Sequence, residues 1–324
     1  MKIYQTIALT VLLAASSQAS AETCSLAQMA SLDMTMLPEG RFAVPVSING
    51  TSHLMMVDTA GIYSRITAEA AQKIGLSTAP SRVEIYGVNG KERMLQSDIA
   101  SLKIGDNEAK HFHLGIGGFD PHGSAAEGIL SQDLLTLFDV ELDFAAKKMN
   151  LFSQQHCPGK VVYWTRSGYA EVPFRFSNGA ISAVQHIDFN MTLDGQEVTA
   201  DFDTGSYRTW LRAKMASRLF GLELDSPGVT RTLVNDKGDA VYTKQFVSLQ
   251  AGGIGVSNPV IELVADQTEE SFRREHSEKS RDDPVYGSTV TLEPLTLGMN
   301  VISKLHTFVA FKEHKLYITA TDAH

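Results

Sequence analysis

Cysteines, basic residues and long apolar runs are all scarce in this chain. Only two cysteines occur, Cys24 and Cys157. Beyond residue 21 no stretch is apolar and long enough to cross a bilayer, so we expect a mature chain without a membrane span. Lys and Arg number 28 against 37 Asp and Glu, which gives a net charge of −9. Because nucleic-acid binding usually requires a basic stripe, and the basic residues here are scattered, no nucleic-acid partner is expected.

The one short apolar run lies at the N-terminus. Lys2 supplies a positive start, residues 7–15 form an apolar centre, and Ala19-Ser20-Ala21 ends in small residues. This layout is typical of a cleaved secretory signal, and the run is shorter than a membrane anchor requires. The sequence therefore predicts a signal peptide over residues 1–21 and an exported protein, periplasmic or secreted.

Export of the chain would determine the chemistry expected of the two cysteines. An even pair then favours a disulfide over a reactive thiol or a metal site. Cys24 precedes the first half of the chain, and Cys157 follows the last strand-like run of that half. A bridge would clamp the two ends and contribute about 4 kcal/mol by the chain-entropy estimate. Two separate buried thiols are the alternative.

Three other kinds of site lack residues that they need. His111 and His113 could face one side of a strand, but no convincing third metal ligand accompanies them, and surface histidines are the simpler interpretation. The glycine clusters at 115–118 and 252–255 lack the Lys-Ser/Thr of a phosphate-binding loop. No Gly-x-Ser-x-Gly turn suggests a serine hydrolase. We expect neither a metal nor a cofactor.

A strand-like apolar run that ends in an Asp-Thr turn occurs twice. One copy is Asp203-Thr204-Gly205-Ser206, after the apolar residues 198–202. The other is Asp58-Thr59-Ala60-Gly61, after residues 54–57. A single Asp-Thr-Gly arises by chance in many turns, whereas two copies in the same strand context indicate two similar halves.

Further elements recur in the same order in both halves. Hairpin turns at Asn49-Gly50 and Asp194-Gly195 precede the two Asp-Thr turns. Short helices are predicted over 67–74 and 213–220, each ended by a glycine. A second hairpin follows in each half, around Asn89-Gly90 and over 230–242. Later comes an apolar element that ends in a small residue, Ile129-Leu130-Ser131 in the first half and Thr296-Leu297-Gly298 in the second.

This order predicts an all-β protein with short helices, made of two lobes that arose by internal duplication. The lobes are predicted at 22–157 and 171–324, with residues 22–41 as a polar lead. The connection over 158–170 carries the apolar Val161-Val162-Tyr163-Trp164, so we expect it to pair as a strand. The second lobe contains an additional charged stretch, 266–286, which is most simply a solvated surface loop.

Two carboxylates that meet across a two-fold axis can hold a water molecule between them and use it to hydrolyse an amide bond. Like charges a few ångströms apart do not ionise together easily, so such a pair shares a proton. The ionised carboxylate takes a proton from water while the protonated one polarises a carbonyl group. Each carboxylate should lie at a strand end in a tight turn, and Asp58 and Asp203 have that sequence context.

From about residue 42 to residue 319, the chain resembles the retropepsin-like and pepsin-like aspartic proteases in their single-chain, two-lobed bacterial form. The resemblance rests on the two Asp-Thr turns and the two later apolar elements. It implies a two-lobed acid protease fold and an aspartic endopeptidase that acts on a protein or peptide substrate as a monomer, because the fused lobes supply both carboxylates.

The same resemblance implies roles for individual residues. Asp58 and Asp203 would form the catalytic dyad, and Thr59 and Thr204 would cross-brace the two turns through their hydroxyls. The Ser206 hydroxyl would bind the outer oxygen of Asp203. Tyr86-Gly87 would form the tip of a flap that closes over the substrate and excludes water.

Two positions of the first lobe depart from the family pattern. Ala60 replaces the glycine of the motif, which follows as Gly61, and Ser131 replaces the glycine of the later element. A methyl group beside the carboxylates would narrow the floor of the cleft or shift the turn. The alternatives to an active protease are therefore a peptide-binding protein of the same fold with impaired catalysis, and a structural domain whose aspartates only stabilise turns.

Overall fold

The computed structural model describes residues 25–87, 90–117, 125–178, 185–232, 240–264 and 295–321, with the side chains at 82–87, 90–93, 177, 178 and 185 left out of the description. The predicted signal peptide, Cys24, the hairpin turns at 88–89 and 233–239, and the charged stretch 266–286 lie outside these ranges.

The described part of the first half consists of strands and two short helices. In chain order they are β1 (Gln28–Asp33), β2 (Thr35–Met36), β3 (Phe42–Ile48), β4 (Thr51–Val57), β5 (Arg65–Ile66), α1 (Ala68–Lys73), β6 (Ala79–Gly87), β7 (Gly90–Ile104), β8 (Asn107–Ile116), β9 (Gly128–Leu130), α2 (Gln132–Leu135), β10 (Asp139–Asp143) and β11 (Lys148–Phe152).

The described part of the second half has the same character. Its elements are β12 (Ala170–Asn178), β13 (Gln185–Leu193), β14 (Gln196–Phe202), β15 (Trp210–Arg212), α3 (Ala213–Phe220), β16 (Val229–Thr232), β17 (Val241–Gln245), β18 (Ser248–Ala251), β19 (Ile254–Ser257), β20 (Val260–Val264), β21 (Leu295–Leu297), α4 (Met299–Ile302), β22 (Leu305–Ala310) and β23 (Lys315–Ala320). The all-β class with short helices is confirmed.

The predicted hairpins form because their turn residues tolerate a left-handed backbone. Asn49 and Gly50, between β3 and β4, have φ of 49° and 87°. Asp194 and Gly195, between β13 and β14, have φ of 44° and 79°. Positive φ at both central residues defines the type I′ turn, whose twist matches that of the strands. Each hairpin therefore delivers its second strand, β4 or β14, in a fixed register toward an Asp-Thr turn.

The predicted helices α1 and α3 also begin and end as their sequences indicate. The Thr67 hydroxyl accepts a hydrogen bond from the Ala70 amide at 3.1 Å, which caps α1. Gly75 and Gly221 follow the helices with φ of 68° and 63°. The second of the two short helices described in the first half, α2, is only four residues long and ends at Leu135.

Two sheets organise the described strands. One has the order β2-β3-β4-β9-β5-β8-β7-β6 and belongs to the first half. The other runs β1-β11-β10-β22-β23-β12-β13-β14-β21-β15-β20-β17-β16 and includes strands of both halves. The halves meet where β10 pairs antiparallel with β22, with Val140 opposite Val309. A continuous apolar core extends from one half into the other.

The later apolar elements lie beside the strands that carry the aspartates. β9 pairs parallel with β4, with Leu130 opposite Val57. β21 pairs parallel with β14 in the same way, with Leu297 opposite Phe202. Parallel strands bring their carboxyl ends to one edge of a sheet, so each Asp-Thr turn emerges next to Ser131 or Gly298.

Two sequence predictions about the fold were wrong. The connection over 158–169 does not pair as a strand. It packs instead against the sheet shared by both halves, and Val161 is fully buried there beside Phe152 and Phe308. The reason is that burial of its apolar side chains stabilises the fold more than backbone pairing at the edge of a sheet would. The interpretation of residues 22–41 as a polar lead was also wrong, since β1 lies within this segment and pairs antiparallel with β11.

None of the helices in the described ranges is long and apolar enough to cross a membrane.

Candidate active site

Each of the two aspartates lies just after the end of an inner strand. The Asp58 amide, after β4, donates to the Leu130 carbonyl at 3.0 Å, and the Asp203 amide, after β14, donates to the Leu297 carbonyl at the same distance. The parallel partner strand thus fixes the backbone of each aspartate. Both side chains remain partly exposed, whereas the neighbouring Thr59 and Thr204 are buried.

Two threonine hydroxyls tie the aspartate turns to each other. The Thr59 amide donates to Thr204 Oγ1 at 3.1 Å, and the Thr204 amide donates to Thr59 Oγ1 at 3.0 Å. Each hydroxyl also donates across the interface, Thr59 to the Phe202 carbonyl at 2.7 Å and Thr204 to the Val57 carbonyl at 2.8 Å. Four reciprocal hydrogen bonds therefore hold the turns together, in the arrangement expected from the resemblance.

Backbone amides cradle one oxygen of each carboxylate. Asp58 Oδ1 accepts from the Ala60 and Gly61 amides at 3.0 and 2.7 Å. Asp203 Oδ1 accepts from the Gly205 and Ser206 amides at 2.8 and 3.1 Å. Hydrogen bonds to the ionised form fix the orientation of each carboxylate and direct its Oδ2 away from the cradle.

The second turn lies directly against Asp58. A Cβ atom at Gly205 would come within 2.5 Å of Asp58 Cγ, so this position requires a glycine. The corresponding position of the first turn is Ala60, which carries a methyl group. The two turns are therefore not equivalent, although they share their hydrogen bonds.

The predicted bond from the Ser206 hydroxyl to Asp203 was wrong. Ser206 Oγ donates to the Arg208 carbonyl at 2.8 Å, and it is the Ser206 amide that donates to the carboxylate. The hydroxyl turns toward a carbonyl two residues further along the chain, which accepts a local hydrogen bond at little entropic cost.

A second layer of hydrogen bonds supports each turn, and the sequence motifs did not reveal it. In the first lobe the Ser64 hydroxyl donates to Asp133 Oδ1 at 2.6 Å and accepts from the Ser131 amide at 2.9 Å. In the second lobe the Thr209 hydroxyl donates to Asn300 Oδ1 at 2.8 Å and accepts from the Gly298 amide at 3.0 Å. The available signal was the spacing: each hydroxyl residue comes six positions after its aspartate.

Arg65 and Gln132 are two further residues that the sequence analysis missed. Gln132 Nε2 donates to the Thr59 carbonyl at 2.5 Å, which attaches α2 to the first turn. Arg65, on β5, is largely enclosed by protein, and burial lowers the pKa of its guanidinium. The positive charge of Arg65 in turn counteracts the rise in the pKa of Asp58.

Burial raises the pKa of both aspartates, and nearby carboxylates raise it further. Burial is the largest cause for Asp58, partly offset by the Gly61 amide and by Arg65. Burial is also the largest cause for Asp203, followed by the charges of Asp58 and Asp201, so the pKa of Asp203 lies well above its usual value. A pair of this kind retains one proton at a pH where isolated carboxyls have lost theirs.

The floors beneath the two aspartates differ in chemistry. Below Asp58, the residue Met56 lies opposite Ala43 and Ile129 on the neighbouring strands, and all three are apolar. In the second lobe the corresponding set is Asp201, opposite Asp188 and Thr296. The first lobe thus presents an apolar floor and the second lobe a charged one.

His186 accompanies the charged floor. Its Nδ1 lies 2.9 Å from Asp201 Oδ2. Burial opposes the charged imidazolium, but the hydrogen bond and charge of Asp201, then the charges of Asp203 and Asp188, raise the pKa of His186 to about 9. The imidazolium therefore partly neutralises the carboxylates beneath Asp203 at neutral pH.

The other predicted site residues lie on the β6–β7 hairpin or belong to the predicted disulfide. Tyr86 and Gly87 end β6 and pair with Lys91 and Gly90 of β7, so their backbone lies at the last rungs of the predicted hairpin. Cys24 is outside the described ranges, and its disulfide with Cys157 stays a prediction.

The predicted histidine pair lies on β8. His113 Nδ1 contacts Asp98 on the exposed surface of the sheet. Among the residues that the structure describes, no group of three or more His, Cys, Asp or Glu side chains is arranged to hold a metal ion.

Comparisons with known proteins point to one family. Residues 44–136 match the sequence model of the gag-polyprotein putative aspartyl protease family, a range that contains Asp58 and Ser131. Among solved structures, the aspartic proteinase from Irpex lacteus has a similar fold, with a TM-score of 0.50 and 11% sequence identity over 91% of this chain and 98% of that chain. At this identity the likeness concerns the fold alone. No curated protein sequence matches this chain.

Proposed function

We propose that this chain is an aspartic protease, an exported endopeptidase that cleaves an extended polypeptide with Asp58 and Asp203. One observation carries the proposal: two partly exposed carboxylates stand in turns that are joined by reciprocal threonine hydrogen bonds. Such rigid joining keeps two like charges close together, against their repulsion, as shared acid–base chemistry requires.

The proposed reaction needs one water molecule between the carboxylates. The ionised aspartate removes a proton from this water while the protonated aspartate donates a hydrogen bond to the scissile carbonyl oxygen. The water oxygen then bonds to the carbonyl carbon while the protonated aspartate transfers its proton to the carbonyl oxygen, which gives a tetrahedral diol. The proton taken from water then passes to the amide nitrogen and the C–N bond breaks, while the other aspartate takes a proton from one diol hydroxyl. The pair is left with one proton, as at the start. The raised pKa of both carboxyls favours this singly protonated state.

Export and the role of the β6–β7 hairpin are parts of the same proposal. Residues 1–21 have the layout of a signal peptide, and their removal would leave a chain that begins at Glu22. The hairpin that ends at Tyr86 and Gly87 would cover a bound peptide. N-terminal sequencing of the exported protein checks the first point, since a retained Lys2 contradicts it.

The test of the proposed function is cleavage of a mixed pool of unstructured peptides between about pH 4 and 7. Asp58→Asn and Asp203→Asn should each reduce cleavage by about 10³-fold or more, because either change removes one member of the acid–base pair. Asp225→Asn applies the same chemical change to an exposed carboxylate and should leave cleavage unchanged. Equal cleavage by all four folded proteins would refute the assignment.

A second candidate function is peptide binding with impaired catalysis, and Ala60 is the observation that favours it. A Cβ at the corresponding Gly205 would overlap Asp58, so by the correspondence of the two turns the methyl of Ala60 is expected beside Asp203. If the folded wild type binds peptides without cutting them, Ala60→Gly distinguishes the two candidates. Gain of cleavage in this variant would indicate a protease impaired by that methyl, and retained binding without cleavage would support the binding function.

A further inference from the structure

The two lobes exchange a hydroxyl and a glycine between corresponding positions. The second lobe has Ser206 at the end of its aspartate turn and Gly298 before α4, whereas the first has Gly61 and Ser131. A Cβ at Gly298 would come within 2.2 Å of the Arg208 carbonyl oxygen, so that position requires a glycine. The same carbonyl accepts the Ser206 hydroxyl at 2.8 Å. The second lobe therefore uses its hydroxyl for a local backbone contact.

The first lobe places its hydroxyl differently. Ser131 is fully buried, and its amide is bound by Ser64 Oγ, yet no described group forms a hydrogen bond with Ser131 Oγ. A buried hydroxyl without a partner costs about 1–3 kcal/mol, so its presence calls for an explanation.

The space left by Gly61 supplies that explanation. A Cβ at Gly61 would lie 2.6 Å from Ser131 Oγ and 2.7 Å from Asp58 Oδ2. The two oxygens thus border the same point, which residue 61 leaves unfilled because it has no side chain. Asp58 Oδ2 is also the oxygen left free of the cradle, since both backbone amides bind Oδ1.

We propose that Ser131 is a positioning residue for Asp58: across the gap at Gly61, its hydroxyl donates a hydrogen bond to Oδ2 of the ionised carboxylate. In the proposed active state the serine hydroxyl moves toward the carboxylate across this gap. A hydrogen bond to the charged form favours ionisation and counteracts the effect of burial. The serine that replaces a family glycine thereby acquires a role in the acid–base pair. This inference rests on the proposed function, and its test separates the two.

The other charged groups around Asp58 come from both lobes and stay constant in the test. Arg65 on β5 favours ionisation of Asp58, Asp201 on β14 opposes it, and Asp203 shares the proton. Arg41 precedes β3 and donates to the Gly205 carbonyl at 3.4 Å, beside the same carboxylate. Because none of these residues is changed, a shift in the pH profile reports on position 131.

Ser131→Ala is the primary variant, measured as kcat/KM against pH in the full exported chain. On the acidic limb of this profile, where activity rises with pH, we expect kcat/KM to fall about tenfold and the limb to move to higher pH. Above that limb Asp58 is ionised in both proteins, and the loss of kcat/KM should be smaller.

Thr307→Val is the matched control. Thr307 Oγ1 is likewise buried without a hydrogen-bond partner among the described residues, but it lies on β22 in the sheet between the lobes. Its removal should leave the acidic limb in place. The proposal is overturned if Ser131→Ala leaves the limb unmoved, or if Thr307→Val moves it equally.

A readout independent of cleavage distinguishes failure of this proposal from failure of the proposed function. The loss of a hydrogen bond to ionised Asp58 destabilises the fold only where Asp58 is ionised. The difference in melting temperature between wild type and Ser131→Ala should therefore grow as the pH rises, whereas that for Thr307→Val should stay constant. If this difference grows with pH but the chain cuts no peptide, the positioning role of Ser131 is supported and the proposed protease function is not. A constant difference overturns the role of Ser131.

Discussion

At the scale of single residues, the aspartate pair works against the stability of the fold. Burial raises the pKa of Asp58 and Asp203, so the folded chain binds protons more tightly than the unfolded chain does. The free energy of unfolding then falls as the pH rises from the unfolded pKa, about 3.9, through the folded value. The cross-brace and the core offset this cost. Strain of this kind is typical of functional sites.

Asp203→Asn should therefore stabilise the protein at neutral pH, although it abolishes the proposed activity. An amide keeps the shape and the acceptor oxygen without the buried charge. We expect the melting temperature of this variant to exceed that of wild type by several degrees at pH 7, since about 1 kcal/mol shifts the midpoint by about 2 °C in a chain of this size.

Thermal unfolding between pH 3 and 7 measures this effect. The difference should disappear below about pH 3.9, where the carboxyl is protonated in both states. Asp225→Asn, an exposed control, should show no such trend. A lower melting temperature of Asp203→Asn at pH 7 contradicts the expected cost of the buried charge.

At the scale of elements, left-handed residues decide where several helices and hairpins end. Gly221 follows α3 with φ of 63°, and its amide donates to the Ser217 carbonyl at 2.9 Å. An added Cβ would meet no atom within 4 Å there, so the backbone conformation alone selects glycine. Local signals of this kind made α3 and the two leading hairpins predictable from the sequence.

Gly221→Ala should reduce the free energy of unfolding by about 1–2 kcal/mol, because an alanine at positive φ brings Cβ close to a carbonyl oxygen. Gly168→Ala is the matched control: an added Cβ there also meets nothing within 4 Å, and its φ is not positive. The control should be neutral or slightly stabilising. Denaturant unfolding of both variants measures the difference, and equal losses would contradict the conformational explanation.

Elements that depend on distant partners were predicted poorly. β1 (Gln28–Asp33) has no clear alternation of polar and apolar residues, and it is a strand because it pairs with β11, more than a hundred positions further on. Val161 and Val162 were expected in a strand because they are apolar. Their burial is instead provided by the aromatic face of the shared sheet, where Trp164 stacks on His306 at 4.4 Å. The apolar composition of this segment correctly indicated that it is buried, but it did not determine whether the backbone forms a strand.

At the scale of the whole molecule, the lobes are joined by a shared sheet and not only by the chain connection. Glu141 on β10 of the first half is buried beside His306 on β22 of the second, with the His306 Nε2 2.9 Å from its Oε1. Asn150 and Tyr163 donate to its other oxygen at 2.6 and 2.7 Å. A buried carboxylate satisfied from three elements would be costly to expose, so the lobes should unfold together.

The predicted Cys24–Cys157 disulfide would add to this joining. The Ser153 amide donates to the Ala27 carbonyl at 2.9 Å, which brings the chain ahead of β1 close to the chain that follows β11. Because Cys24 and Cys157 lie three and four positions beyond that bond, a bridge between them is sterically reasonable. Cys24→Ser with Cys157→Ser should cost about 4 kcal/mol.

Thiol titration of the unfolded, unreduced protein tests this pairing directly. No free thiol, together with a linked pair of peptides after digestion, is the expected result. Two reactive thiols, or a melting temperature unaffected by the double substitution, contradicts the bridge.

The sequence predicted the residues of the candidate site that belong to the two motifs, and missed most residues that support them. Asp58, Asp203, Thr59 and Thr204 were identified because a strand followed by Asp-Thr is a local pattern that occurs twice. Asp133, Arg65 and His186 were not identified, because strand pairing brings them to the turns. Asp133 follows β9, which pairs parallel with β4. Arg65 lies on β5, which pairs antiparallel with β9, and His186 lies on β13, which pairs antiparallel with β14. The hydroxyl of Ser206 was assigned incorrectly, since a motif specifies the residue and leaves its rotamer open.

The joining of both halves in one chain has a consequence for the symmetry of the site. In a protein built from two identical copies, every side chain appears on both sides of the axis. Here the two sides are encoded separately, so Ala60, Gly61 and Ser131 can differ from Gly205, Ser206 and Gly298. A polypeptide has a direction, and a site with two different sides can hold it in one orientation, which an exactly symmetric site has no means to prefer.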